Sequence, residues 1–142
     1  MAETFQLDPA FAATSEPLGS LGLCEARLQN DARYPWVILI PRSPGAQEIE
    51  DLHPLNRPRL IEEIMLAGHA VRAIGRALDM PVDKLNVGAL GNITPQLHVH
   101  VIGRHEGDPA WPGPVWGQGD AVPFSADELA TAKAAARTAL KL

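Results

Sequence analysis

The residues of this chain best suited to chemistry are two histidines, His98 and His100, separated by one apolar residue. Side chains alternate between the faces of a β-strand, so a strand through this segment puts both imidazoles and Gln96 on one face, at steps of ~6.6–7 Å. An imidazole can act as a nucleophile near neutral pH because its ordinary pKa is about 6.5. Three polar side chains at this spacing can line one phosphate-sized site.

Two other interpretations of the histidine pair stay open. A His-X-His pair on an exposed strand face can be incidental and have no function. It can also supply two zinc ligands, with His105 or an acidic residue as the third. No third ligand has a convincing spacing, and the single cysteine, Cys24, is distant in sequence and is expected to be a small buried hydrophobic residue. We therefore expect no metal and no cofactor.

Composition limits the class of protein. A chain of 142 residues with 46% hydrophobic and 20% charged residues predicts one soluble domain over residues 1–142. A net charge of −5 argues against a nucleic-acid polymer as partner, but not against a small phosphorylated ligand. We expect no membrane span, because no long apolar run occurs, and no signal peptide, because residues 1–7 have no basic residue. A cytoplasmic location is the resulting expectation.

The flanking sequence predicts the elements that position the histidines. Strands are predicted over 23–28, 36–40, 84–90 and 97–104, the second of them buried on both faces. The stretch 42–56 is expected to be a loop with a helical turn near 47–52, and 1–17 a lead-in with a short helix near 9–13. Strands interrupted by one long helix predict an α+β fold with an antiparallel sheet.

Two longer helices complete the prediction. Apolar residues at three- and four-residue spacing predict an amphipathic helix over 57–79, with Asn56 as its N-cap. Its apolar stripe comprises Leu60, Ile61, Ile64, Met65, Val71, Ile74 and Leu78. A capping-box pattern, Ser125 followed three residues later by Glu128, predicts a carboxyl-terminal helix over about 125–140.

Residues 96–102, Gln-Leu-His-Val-His-Val-Ile, resemble the histidine triad (HIT) motif His-φ-His-φ-His-φ-φ, where φ is apolar. The resemblance extends to the proline-terminated strand 35–41, the long helix, the strand and turn 87–92 and the Trp-Pro-Gly stretch 111–113, and covers about residues 20–115. It implies a HIT-like antiparallel sheet with one long amphipathic helix and a carboxyl-terminal helix. It also implies a homodimer.

The resemblance implies nucleotide chemistry at His98, the middle position of the motif. In this interpretation the chain is a phosphohydrolase or nucleotidyl transferase that acts on the α-phosphate through a covalent nucleotidyl-histidine. The implied substrates are nucleoside phosphoramidates, adenylated conjugates or dinucleoside polyphosphates. His100 would donate to a phosphate oxygen or shape the leaving-group site.

Two positions depart from the family pattern. The first motif position is Gln96, whose amide donates and accepts hydrogen bonds but does not titrate. If that position only orients the nucleophile, activity survives; if it must transfer protons, the chain is a catalytically weak nucleotide-binding module. Trp36 occupies a position where several family members have another histidine, and we expect it to fill core rather than to wall the pocket.

Four further polar residues are candidates for substrate binding, each with a structural alternative. Asn92 and Thr94 lie in the turn before the motif and could face phosphate or simply support the turn. Asn30 and Asp31 fall near the position from which the family binds ribose hydroxyls, although a turn role fits them equally well.

The remaining charged residues are expected to be structural or solvated. Arg104 and His105 are interpreted as solvated strand-end residues. Glu62 and Glu63 are interpreted as surface charges of the long helix, and His69 within that helix as structural.

Overall fold

The computed structural model describes residues 4–142, and the first three residues of the segment 1–7 discussed above lie outside that range. Five antiparallel strands form one sheet in the order β1-β2-β3-β5-β4. The strands are β1 Ser15–Ser20, β2 Cys24–Gln29, β3 Trp36–Pro41, β4 Lys84–Gly88 and β5 Val99–Arg104, and the α-helices are α1 Pro9–Thr14, α2 Asn56–Ala77 and α3 Ala126–Ala139. A short 3-10 helix covers Ile49–Asp51. The predicted α+β class with an antiparallel sheet is confirmed.

The strand β1 was absent from the sequence prediction. Its segment, Ser-Glu-Pro-Leu-Gly-Ser, contains two residues that are rare inside strands. The register against β2 shifts between Pro17 and Gly19, and Gly19 has a φ of 142°. An edge strand tolerates both residues because only one of its sides is paired, so tertiary pairing rather than local propensity makes this segment a strand.

The helix α2 packs its apolar side against the sheet. Leu60, Val71 and Ile74 are at most 1% exposed. Ile61 and Met65, which the stripe also included, are instead 56% and 54% exposed, so the buried face is narrower than predicted. The predicted N-cap is wrong as well: the helix already includes Asn56, its cap position is Leu55, and no side chain caps it.

Glu63 is not the surface charge that the sequence suggested. The residue is 8% exposed, and its carboxylate accepts hydrogen bonds of 2.8 Å each from the main-chain N–H groups of Leu23 and Cys24. These bonds satisfy main-chain donors at the start of β2 and attach α2 to the sheet. Burial, followed by the nearby Glu63 carboxylate, raises the pKa of the Cys24 thiol well above its usual range.

The capping box of α3 is confirmed. The Ser125 hydroxyl accepts from the N–H of Glu128, and the Glu128 carboxylate accepts from the N–H of Ser125. The helix packs beside α2, with Ala132 and Ala136 completely buried. Arg137 donates to the Leu18 carbonyl and so links α3 to β1.

The two faces of the sheet are covered differently. The helical face packs against α2 and α3 and contains Ala26, Leu28, Val37, Leu39, Val99 and Val101. The opposite face, called the histidine face below, carries Trp36, Ile38, Ile40 and Ile102 together with both motif imidazoles. It is covered by Phe5, Leu7 and Phe11 from the amino-terminal segment and by Ala110, Val115 and Trp116 from the loop after β5. Within residues 4–142, no helix is both long and apolar enough to cross a membrane.

Candidate functional site

His98 and His100 lie side by side on the histidine face at the start of β5. Their ring centroids are 4.8 Å apart, and the two residues are 5% and 7% exposed. Regular strand pairing begins only at Val99, two residues later than predicted. The alternation nevertheless holds, because Leu97 and Val99 point into the core of the helical face while the imidazoles point away from it.

The orientation of His98 follows from one hydrogen bond. Its Nδ1 lies 2.7 Å from the carbonyl oxygen of Gln96. A carbonyl oxygen can only accept, so Nδ1 carries the proton of the neutral ring and Nε2 keeps its lone pair. The edge-to-face contact with Phe11, at 4.8 Å and 74°, further restrains the imidazole. These two contacts fix the orientation of the His98 ring and leave its Nε2 lone pair free of the Gln96 carbonyl.

His100 is enclosed by two indoles. Trp36 donates from Nε1 to His100 Nδ1 over 3.0 Å, and the Trp116 ring contacts the imidazole at a centroid distance of 5.3 Å. Burial, followed by the neighbouring His98, lowers the pKa of His100 to about 4, against an opposing contribution from the Leu90 carbonyl. Trp36 is 7% exposed and belongs to the core of the histidine face, as expected, but it also bonds to the site.

The side chain of Gln96 points to the amino-terminal segment rather than to a shared site with the histidines. Its Oε1 accepts from the N–H of Asp8, and its Nε2 donates to the carbonyl of Gln6, both over 2.8 Å. Gln96 lines a separate cavity, of about 500 Å³, beside residues 4–6. The main-chain carbonyl of Gln96, and not its amide, is the group that contacts His98.

A smaller cavity of about 220 Å³ opens beside His98. Asn92 and the side chains of Gln47 and Glu48 also line it. Gly91 forms part of its wall, and a Cβ added there would lie 3.0 Å from the Thr94 carbonyl oxygen, so a larger residue would press against this turn. The structure thus brings Asn92 to His98, whereas Thr94 belongs to the turn without lining this cavity.

Asn30 and Asp31 lie at the other end of the sheet. β2 and β5 run in the same direction on either side of β3, so residues after β2 lie near the Arg104 end, and His98 precedes the opposite end. Asn30 Oδ1 accepts from the N–H of Phe124 over 2.9 Å. Asp31 is 1% exposed and accepts from Arg33 and from the N–H of Val122. Both side chains hold the segment before the carboxyl-terminal helix, a structural role that differs from the turn role considered above.

Arg104 is not a solvated strand-end residue; that prediction is wrong. It is 1% exposed and forms a two-pronged ion pair with Asp108, with N–O distances of 2.7 and 2.9 Å, and a hydrogen bond to Asn86. Burial alone would raise the pKa of Asp108, but hydrogen bonds from Arg104 and from main-chain N–H groups lower it to about 2. Asp108 also accepts from the N–H of Trp111, so the pair shapes the loop that covers the histidine face.

Sequence reasoning missed this ion pair because its two members are expected at the surface. The spacing Arg-X-X-X-Asp followed by proline was the available signal, since aspartate before proline commonly starts a turn. Among residues 4–142, no group of three or more His, Cys, Asp or Glu side chains is arranged to hold a metal ion.

Comparison with known proteins places this geometry in a family. The family model of the HIT domain matches residues 11–107. A solved histidine triad protein from Sinorhizobium meliloti is 45% identical, with a TM-score of 0.87 over 95% of this chain and 96% of that one. Histidine triad proteins from Bradyrhizobium japonicum (38%, TM-score 0.90, 97% and 99% covered) and Marinobacter aquaeolei (41%, 0.86, 98% and 98%) are similarly close. No protein with a curated description matches the chain significantly.

Proposed function

This chain belongs to the HIT domain family, and from that premise and the site geometry we propose that it binds a nucleoside phosphate and transfers or hydrolyses its nucleotidyl group through His98. The observation that supports the proposal most directly is the contact between His98 Nδ1 and the Gln96 carbonyl. It presents Nε2 as a lone-pair donor without a separate general base.

The proposed reaction has two displacements at the α-phosphorus. In the first, the Nε2 lone pair forms a P–N bond while the bond to the leaving group breaks, and the leaving group departs with its electron pair and takes up a proton from solvent. In the second, water attacks the same phosphorus, the P–N bond breaks, and the nucleoside monophosphate is released while a water proton goes to solvent. An alcohol or amine acceptor in place of water gives nucleotidyl transfer.

The cavity beside His98 supports a phosphate-sized ligand. Its lining includes His98, Asn92 and the turn at Gly91, together with the acidic residue Glu48. Main-chain N–H groups of such turns can bind anions without a lysine or arginine. We therefore propose that Asn92 and the turn that includes Thr94 bind the phosphate. His100 is proposed to restrain the His98 ring through their edge-to-face contact.

The proposed substrates are nucleoside phosphoramidates, adenylated conjugates or dinucleoside polyphosphates. Incubation with a nucleoside phosphoramidate followed by intact-mass measurement tests the mechanism. We expect a mass increase of one nucleotidyl group, located on His98, and loss of at least about 10³-fold in kcat for His98→Ala. His69→Ala, an exposed histidine of α2, is the matched control and is expected to retain activity. Full activity of His98→Ala would eliminate the mechanism.

A homodimer is part of the proposal. β4 is an edge strand of the sheet, and Val87 within it is 49% exposed. On α2, the exposed Ile61 and Met65 add apolar surface that a second copy could cover. Sedimentation equilibrium of the wild type and of Met65→Lys tests this: a dimer that dissociates in the variant supports the proposal, and a monomeric wild type contradicts it. A cytoplasmic location is proposed on the same family basis.

A second candidate function is nucleotide binding with little catalysis. The engagement of the Gln96 amide by Gln6 and Asp8 favours it, because that side chain cannot assist a proton transfer at His98 while both bonds persist. Calorimetry with nucleoside monophosphates, combined with the mass experiment, separates the two functions. Binding without a nucleotidyl adduct identifies the binding module, and an adduct that turns over identifies the enzyme.

A further inference from the structure

We infer that Trp36 is a positioning residue for the proposed reaction: its indole N–H holds His100 in the single neutral tautomer protonated on Nε2, and so fixes the ring that packs edge-to-face against His98. The inference deepens the proposed function, on which its catalytic meaning rests. Its main test is structural and does not depend on turnover.

The geometry of the indole supports this assignment. An indole nitrogen can donate a hydrogen bond but cannot accept one. Trp36 Nε1 lies 3.0 Å from His100 Nδ1, and both side chains are buried, so Nδ1 must be the acceptor and carry no proton. The proton of the neutral ring is then on Nε2, on the side of the Leu90 carbonyl. A second proton on Nδ1 would place two N–H groups against each other.

Apart from the Leu90 carbonyl, which favours a protonated ring, the surroundings of His100 oppose a charge on its imidazole. On β3 it faces Trp36, from the loop after β5 it faces Trp116, and across the sheet it pairs with Gly88 of β4. The titratable group that acts on it is His98, whose charge would repel a second one. Within the described part of the chain, no carboxylate contributes to the shift of its pKa.

The tryptophan at position 36 limits what His100 can do. With a histidine at position 36, the partner of His100 could donate or accept, and a proton could pass between them. Tryptophan removes that option because its N–H does not titrate. The neutral His100 ring then has one fixed tautomer beside His98.

Nitrogen-15 NMR of the histidine and tryptophan rings tests the inference. In the wild type we expect unprotonated Nδ1 at His100, protonated Nε2, and a scalar coupling across the bond between Trp36 Nε1 and His100 Nδ1. Trp36→Phe keeps an aromatic ring but removes the donor, and we expect mixed tautomers and a raised pKa of His100. Trp116→Phe is the matched control, because Trp116 packs on the same ring while its own indole N–H has no partner among residues 4–142.

Kinetics adds a second readout if the enzyme is active. We expect Trp36→Phe to lower kcat/KM about fivefold, the equivalent of one lost hydrogen bond, and to change the acidic limb of its pH profile, because His100 then takes up a proton at a higher pH. A proton on His100 Nδ1 in the wild type overturns the inference, as does a Trp36→Phe variant whose His100 keeps the wild-type tautomer. If the Trp36→Phe variant does not fold, the scalar coupling between Trp36 Nε1 and His100 Nδ1 in the wild type tests the inference, and its absence overturns it. An inactive protein with the predicted tautomer contradicts the proposed enzyme while leaving the positioning role intact.

Discussion

The helical and histidine faces are the two sides of the same five strands, but different kinds of structure cover them. On the helical face, regular helices pack apolar side chains against apolar side chains. On the histidine face, the cover is the amino-terminal segment and the loop after β5, and specific polar bonds hold both in place. Apolar packing thus dominates on the helical face, where Glu63 adds a polar link to the sheet, while directional contacts on the histidine face define the site.

The largest expected effect is on the histidine face. Asp108→Ala leaves Arg104 buried without its ion-pair partner, so we expect a loss of about 3–5 kcal/mol in the free energy of unfolding. The loop bearing Trp111 and Trp116 should also loosen. Denaturant unfolding measures the first effect and tryptophan fluorescence the second.

The double variant Arg104→Met/Asp108→Leu serves as its control. It removes the uncompensated charge of Arg104, so we expect part of the lost stability to return. The part contributed by the hydrogen bonds from the main-chain N–H groups of Ala110 and Trp111 to Asp108 should stay lost. A single variant as stable as the wild type would show that the pair does not hold the loop.

Ile74→Ala tests the helical face in the same way. Truncating this completely buried side chain is expected to cost about 2–4 kcal/mol, because a cavity remains in a packed core. The ring resonances of His98 and His100 should nevertheless stay at their wild-type positions. If Ile74→Ala changed those resonances as much as Asp108→Ala does, the proposed difference between the helical and histidine faces would be wrong.

These expectations also show what sequence could and could not predict. The helix α2 and the strand β3 were predictable because their apolar residues follow a local pattern. The shared face of His98 and His100 was predictable because the alternation of side chains along a strand does not depend on the rest of the fold. Arg104 and Glu63 were misjudged since their burial depends on partners 4 and 40 residues away. Gln96 was assigned to the site by spacing, but its amide direction is set by the segment that reaches it from residues 6–8.

Acid should weaken the fold through the histidine face. The pKa of His100 is lowered to about 4 in the folded chain, against about 6.5 when unfolded. The unfolded state therefore binds the proton first, so stability falls as the pH drops from about 6.5 to about 4, by roughly 2–3 kcal/mol in total. Thermal unfolding of the wild type against His100→Asn across this window measures it. An identical pH dependence in both proteins would contradict the prediction.

The smallest effect is expected at Gln96. Gln96→Ala removes two hydrogen bonds at a half-buried position, for a cost of about 1 kcal/mol. Amide exchange at Asp8 should accelerate while exchange in α2 stays unchanged. Gln96→Glu keeps the acceptor for Asp8 but loses the donor to Gln6, so an intermediate exchange rate is expected. Unchanged exchange at Asp8 in both variants would show that the amide does not fasten this segment.

The environment of Cys24 makes the single sulfhydryl of the chain a built-in indicator of opening. Buried beneath the Glu63 carboxylate, it is held as the neutral thiol and is shielded from alkylating and oxidising agents. Labelling of Cys24 by such a reagent then requires β2 to separate from α2. The labelling rate therefore measures how often the sheet and the long helix separate.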